Sequence, residues 1–440
     1  MSDGAVSLSQ RALAVLDQNL RGDWTCPADD FYPHQWLWDS CFVAIGLARH
    51  DAPRAAGEVR AFFRGQWGNG MLPHMIFAAA VPDVGSRRIW QSKSYADAPR
   101  DVDTSCITQP PLAAIAVWHV ARALHEDDRR VFLRDLYPKT VRYHEWLYRE
   151  RDLDHRGLVT LIHPWECGLD TTPPWTRQLR RMDGPWWLDA ALKLRLSRVA
   201  RFFRRDTRYA PAAQRLSDDD GLRMLALVHR AKRHGFELRR MPEKGSVLIE
   251  DVAFNALLAA ANEALVSIAT EIGETVSDEL ERCVESTRTA FAGLWDEKTG
   301  QYYSRDRATD ELVKLPTVAT FLPLVARLPT AAQTDRLRAL LRDEARFWPR
   351  YPVPSVPIDA KQFDADRYWR GPTWVNTNWL VIEGLRAVGD ETAAAELRRR
   401  TLDLVDRSGF AEYFSALDGH GYGAPDFSWT AALVLDLLEQ

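Results

Sequence analysis

The 440-residue chain lacks the marks of several specialised classes. Its five cysteines, Cys26, Cys41, Cys106, Cys167 and Cys283, are odd in number and far apart, and no two form a CxxC unit. That pattern indicates neither a disulfide framework nor a zinc site. Residues 1–22 lack the basic-then-apolar order of a secretion signal, and no apolar run of 18 residues is read. A reducing cytoplasm is the expected setting, with no membrane partner. The net charge of −4 gives no reason to expect nucleic acid. No metal and no cofactor is expected.

What the chain has in excess is tryptophan, 17 of them, many in short polar motifs rather than apolar runs. Indoles suit core packing and the apolar face of a sugar equally well. One stretch holds two acids between two tryptophans and closes on two prolines: His163-Pro164-Trp165-Glu166-Cys167-Gly168-Leu169-Asp170, then Thr171-Thr172-Pro173-Pro174-Trp175. Pro173 forces Thr172 out of helical geometry, and Gly168 adds an irregular position, so Asp170 is expected on a stiff loop. An indole beside a carboxylate disfavours its charged form, which makes Asp170 a candidate proton donor. The plain alternative is a helix-capping aspartate.

Apolar periodicity predicts about ten to twelve helices and few strands. Ser7 to Gln10 resembles a capping box. Asp39 reads either as a helix N-cap or as an acceptor for two sugar hydroxyls, and Asp426 as the cap of the last helix. Thr299-Gly300 reads as a hairpin turn. Short and long connections alternate, and the long ones carry Trp, Asp, Glu and Gln. Paired helices closing into a toroid place such loops at one end, so the expected fold is all-α, an α/α barrel over residues 1–440. Within it, 176–245 reads as a basic helical insertion. From Arg177 to Arg240 there are 17 Lys and Arg against 7 Asp and Glu, an excess of ten positive charges. It is either a solvated surface or a lid that helps hold an anionic substrate group.

A second acid lies in Phe410-Ala411-Glu412-Tyr413-Phe414, before a loop ending Asp426-Phe427-Ser428-Trp429. Two loop carboxylates with aromatics between them fit glycosidic bond cleavage, one protonating the leaving oxygen and the other activating water or attacking. A tryptophan-rich core with two ordinary acids is the competing reading.

Several motifs, in this order, resemble glycoside hydrolase family 63, in particular the compact bacterial enzymes that hydrolyse mannosylglycerate and glucosylglycerate. They are Gln35-Trp36-Leu37-Trp38-Asp39, Gly70-Met71-Leu72-Pro73-His74, Gln109-Pro110-Pro111, the Asp170 loop, Trp369-Arg370-Gly371-Pro372-Thr373-Trp374, Asn376-Thr377-Asn378-Trp379 and the Glu412 motif. The resemblance implies an (α/α)6 barrel and an inverting mechanism, with Asp170 as general acid and Glu412 as general base. It implies a sugar subsite of Trp36, Trp38, Asp39, Gln109 and Trp165. Tyr368, Trp369 and Trp374 would lie near the leaving group, and Trp429 near the base. Tyr32, His74 and Arg215 complete the candidate substrate-binding set. The stretch Gln214-Arg215-Leu216-Ser217-Asp218 departs from the family's Gln-Arg-Pro pattern, and Gly221 and Leu222 stand where a tyrosine is expected. Arg215 keeps a guanidinium able to pair with a carboxylate.

The expected partner is a small glycoside with an anionic aglycone, and a homo-oligomer is left open. An α-glucosidase acting on neutral oligosaccharides is the alternative enzyme. A sugar-binding protein on the same fold is the non-enzymatic one, although a lectin needs neither acid.

Overall fold

Helices that are apolar on every side must be enclosed by other helices. Leu37–Leu47 buries all its residues, and Val252–Ile272, Val375–Ala387 and Ser428–Leu438 are buried over most of their length. The computed structural model describes residues 7–81, 86–194, 211, 214–243 and 245–440. In it these helices form a closed inner ring: Leu37–Leu47 packs on Ala113–Ala123, then Val252–Ile272, Val318–Ala326, Val375–Ala387 and Ser428–Leu438, which returns to Leu37–Leu47.

A second layer surrounds the ring, made of Leu8–Gln18, Ala52–Phe63, Glu126–Arg151, Asp278–Ala290, Ala331–Leu341 and Glu391–Ser408. These helices bury one stripe only. In Glu391–Ser408 the stripe is Ala393, Ala394, Leu397, Thr401, Leu404 and Val405, spaced for a single face. The fold is the expected (α/α)6 barrel. The fifth inner element, Val318–Ala326, is a 3-10 helix with Pro323 inside it, since proline cannot donate to an α-helical ladder.

Several local readings need correction. Val252–Ile272 is 21 residues long and apolar enough to cross a membrane by length and composition, contrary to the reading that no such run exists; it lies in the inner ring with 83% of its apolar window buried. Asp39 does not cap its helix. Trp36 occupies the N-cap position and Asp39 lies in the first turn. Asp426 is not a cap either, because Phe427 holds that position. The Ser7–Gln10 capping box and the Trp295–Tyr302 hairpin form as read. Of the basic segment, Trp186–Lys193 and Asp218–Arg233 are described helices, and the Phe202-Phe203 pair lies outside the described residues.

Strands are two residues long and serve to position loops. Thr160–Leu161 pairs with Ile249–Glu250 and leads into the Asp170 loop. Tyr413–Phe414 pairs with Gly421–Tyr422 and carries Glu412 at its start.

Candidate active site

The Asp170 loop is shaped by three local devices. His163 Nδ1 accepts the Trp165 N–H at 3.1 Å and opens the short 3-10 turn Pro164–Glu166. Gly168 has a φ of +73°, and a Cβ there would lie 2.6 Å from the Trp38 indole, so only glycine lets the loop rest on that ring. Pro173 and Pro174 then start the helix Pro173–Arg181. Of the two acids in the stretch, Glu166 is structural. It is fully buried against Arg151 at 2.8 Å and also accepts the Ile162 N–H at 2.8 Å. Asp170 is half-buried at the end of the loop.

Glu412 is 1% exposed and richly bonded. Oε1 accepts from Tyr32 Oη at 3.0 Å, and Oε2 accepts from the Ala424 N–H at 3.0 Å. Arg215 Nη1 lies 3.3 and 3.1 Å from the two oxygens. Arg215 Nη2 also bonds to Tyr32 Oη. The guanidinium lies 4.3 Å from the centre of the Tyr368 ring. Burial opposes its charge, but Glu412 and the surrounding tyrosines outweigh burial and hold Arg215 more firmly protonated than usual. Gly423, at φ +76°, passes so close that a Cβ would sit 2.3 Å from Glu412 Oε2.

Tyr368 lies within electrostatic reach of both acids. Burial raises its pKa well above the ordinary range, and the negative charges of Asp170 and Glu412 raise it further. Asp170 and Glu412, 242 positions apart by their numbering, therefore both act on one phenol. The Asp170 and Tyr368 loops also touch through the main chain, where the Trp369 N–H donates to Thr171 Oγ1 at 3.3 Å. Thr373 and Phe414 exchange backbone hydrogen bonds at 2.7 and 2.9 Å, which ties the Trp374 loop to the Glu412 hairpin.

The aromatic lining is continuous. Trp369 and Trp374 stack at 3.7 Å and 7°, and Trp374 stacks on Tyr413 at 4.7 Å. Trp38 packs against Trp369 at 6.3 Å and edge-on against Trp429 at 5.3 Å. On the other side His74, itself buried and bonded through Nδ1 to Ser105, lies edge-on to Trp36 and parallel to Trp165. Burial lowers the His74 pKa to about 3, so it is neutral at working pH.

Three of these rings, Trp36, Trp369 and Trp429, bury indole N–H groups that have no hydrogen-bond partner among the described residues. Each such donor costs about 1–3 kcal/mol. Three in one lining is a large cost for packing alone, and ligand hydroxyls can offset it.

The first turn of Leu37–Leu47 explains how Asp39 is kept for the site. Trp36 has no side-chain oxygen to cap the helix, so the Leu37 N–H goes to the His74 carbonyl at 3.1 Å and the Trp38 N–H to Gln109 Oε1 at 3.2 Å. Gln109 thus holds the Trp36–Asp39 turn in place. The Asp39 pKa is raised well above the usual range by burial, with the Glu412 charge adding to it against the helix backbone.

The twelve candidate binding residues, Gln109 and His74 among them, and Glu412 are linked through these contacts, and Asp170 adjoins them on the loop whose Thr171 Oγ1 accepts from the Trp369 N–H. Sequence reasoning missed the bonds that dress the base, those from Ala424 and Tyr32, and the stacking role of Tyr413. The stretch Gly421-Tyr422-Gly423 was the available signal, since closely spaced glycines mark near approach of backbone. A cavity of about 640 Å³ opens beside the same hairpin, lined by Arg407, Phe410, Ala411, His420, Tyr422 and Asp426 among others. Neither acid lines it, and the chemistry points to the aromatic side instead.

Comparison with known proteins gives the family. A family model for the mannosylglycerate hydrolase MGH1-like glycoside hydrolase domain matches residues 32–430. The chain is 37% identical to a mannosylglycerate hydrolase of Thermus thermophilus over 97% of its own length and 99% of that protein. It is 34% identical to the glucosylglycerate hydrolase of Mycolicibacterium hassiacum, over 98% of its own length and 97% of that protein. A crystal structure of a family 63 mannosylglycerate hydrolase, also from Thermus thermophilus and in complex with Tris and D-glycerate, superposes with a TM-score of 0.88 at 35% identity, covering 99% of this chain and 100% of the other. A tryptophan-lined site at the mouth of an (α/α)6 barrel, and a family match over almost the whole chain, make this protein a glycoside hydrolase of family 63, in the MGH1-like group.

Proposed function

We propose that the protein is an inverting α-glycoside hydrolase whose substrate is a small α-glucoside or α-mannoside with an anionic aglycone of the glyceric acid kind. The observation that carries this reading is that one aromatic lining joins the two acid-bearing loops: the Trp369 N–H donates to Thr171 Oγ1 beside Asp170 at 3.3 Å, Trp369 stacks on Trp374, and Trp374 stacks on Tyr413 beside Glu412 at 4.7 Å. Asp170 gives its proton to the glycosidic oxygen as the bond to the sugar's anomeric carbon lengthens. Glu412 takes a proton from a water that attacks that carbon from the opposite ring face. Inversion leaves room for that water by holding the two carboxyls roughly 6.5–9.5 Å apart. The indole N–H groups of Trp36, Trp369 and Trp429 bind sugar hydroxyls, and the ring faces order the pyranose.

The anionic aglycone rests on Arg215, a buried cation beside Tyr368, and on the relatives that act on mannosylglycerate and glucosylglycerate. All five cysteines are free thiols, which supports a cytoplasmic setting. One observation favours the neutral α-glucosidase reading: Arg215 is already engaged with Glu412 and Tyr32.

A hydrolysis panel of glucosylglycerate, mannosylglycerate and neutral α-disaccharides separates the two. The charged glycosides should be cleaved with kcat/KM at least about tenfold higher, a gap of about 1.4 kcal/mol that one charge-assisted hydrogen bond readily supplies. Equal or better turnover of neutral disaccharides would favour the alternative.

A further inference from the structure

Glu412 already has four donor contacts: Tyr32 and Arg215 on Oε1, and Ala424 and Arg215 on Oε2. An ionised carboxylate offers about four lone-pair positions. A water that is to lose its proton to Glu412 needs one of them, so one donor must withdraw. The Ala424 N–H is fixed, because the Glu412 N–H bonds back to the Ala424 carbonyl at 2.9 Å. Tyr32 lies in the loop before the first inner helix and packs edge-on to Trp36 and Phe427. Arg215 is different. It reaches in from the basic segment, spans both oxygens with one nitrogen, and stacks on Tyr368. A guanidinium in that position pairs with any carboxylate that enters beside it.

We infer that Arg215 is a gate on the catalytic base, releasing an oxygen of Glu412 when a second carboxylate, ordinarily the aglycone's own, takes up its guanidinium. This rests on the reading of an anionic aglycone given above and extends it. The substrate's charge then contributes to rate as well as to binding, because it completes the base. Neutral glycosides bind through the tryptophans but meet a base whose lone pairs are occupied.

It follows that a small free carboxylate should activate the enzyme toward a neutral glycoside too small to fill the aglycone space. The full chain is assayed on methyl α-D-glucopyranoside and methyl α-D-mannopyranoside while formate, acetate or D-glycerate is titrated in, with ionic strength held constant by chloride. A saturable rise in kcat of roughly tenfold or more is expected, a fraction of what a general base contributes. Chloride alone and glycerol should give none. In Arg215→Gln the neutral rate should no longer respond to carboxylate and should exceed that of the unactivated wild type. Carboxylates that leave the wild-type rate flat, or only lower it, overturn the gate, and this titration decides the matter even if the variant folds poorly. The substrate panel judges the underlying reading separately: preference for charged aglycones without activation by free carboxylate overturns the gate alone.

Discussion

Asp170→Asn and Glu412→Gln should each lower kcat by roughly 10²–10⁴-fold, the range that a positioned acid or base supplies. Neither change alters side-chain size much, and the tryptophan surfaces stay in place, so KM for the sugar should move only a few-fold. The two effects should not add. Once the leaving oxygen goes unprotonated, the state of the attacking water matters less, and the double variant should fall little below the worse single one. Steady-state kinetics on the best substrate of the panel checks the rates, and quenching of tryptophan fluorescence checks binding. A Glu412→Gln enzyme retaining more than about a tenth of wild-type kcat would remove Glu412 from the role of base.

A large effect on stability should come from the neighbouring acid that does no chemistry. Arg151 and Glu166 form a pair 1% and 0% exposed, on which the Asp170 loop is built. Burial pushes the Glu166 pKa up, while Arg151 and the Ile162 and Thr108 N–H groups pull it back. Removing one partner strands the other charge in the interior, and Glu166→Gln should cost about 3–5 kcal/mol. Replacing both, as Glu166→Gln with Arg151→Met, should recover part of the loss. Glu126 with Arg130 is the internal control: both are well exposed and one helical turn apart, and Glu126→Gln should change stability by less than about 0.5 kcal/mol. Midpoints of urea unfolding read all these variants. If Glu166→Gln unfolded at the wild-type midpoint, the loop would not depend on this pair.

These two acids show where the sequence was legible and where it was not. Composition, Gly168 and Pro173 marked the 163–175 stretch as unusual and put Asp170 on its loop, but nothing in the local sequence gives Glu166 its structural role. The difference lies in Arg151, which comes from the outer helix Glu126–Arg151 and meets Glu166 only after folding. The barrel was legible because helical periodicity is local and the all-round apolar helices stand out from the striped ones. The cap alternative for Asp39 and the cap reading of Asp426 failed for a related reason. A capping residue is usually recognised by its own side chain, whereas at the Asp39 helix a carbonyl from His74 and the amide of Gln109 do the work from distant loops.

The base was legible as a motif but not as an environment. Arg215 and Glu412 are 197 residues apart, and the hairpin that carries Glu412 is made of two-residue strands with no readable period. The basic excess from Arg177 to Arg240 suggested a role toward an anion. What it could not suggest is that Arg215 would rest on the base itself, or that Tyr413 Oη would hold the same segment through the Gln214 carbonyl at 3.0 Å.

Proton NMR of the sugar released in the first minutes of hydrolysis tests the roles of Asp170 and Glu412 most directly. With an α-glycoside and enough enzyme to outrun mutarotation, the β-anomer should appear first and the α-anomer only as the solution equilibrates, because water activated by Glu412 attacks the face opposite the leaving group. The α-anomer appearing first would mean retention, with Glu412 acting as a nucleophile rather than as a base.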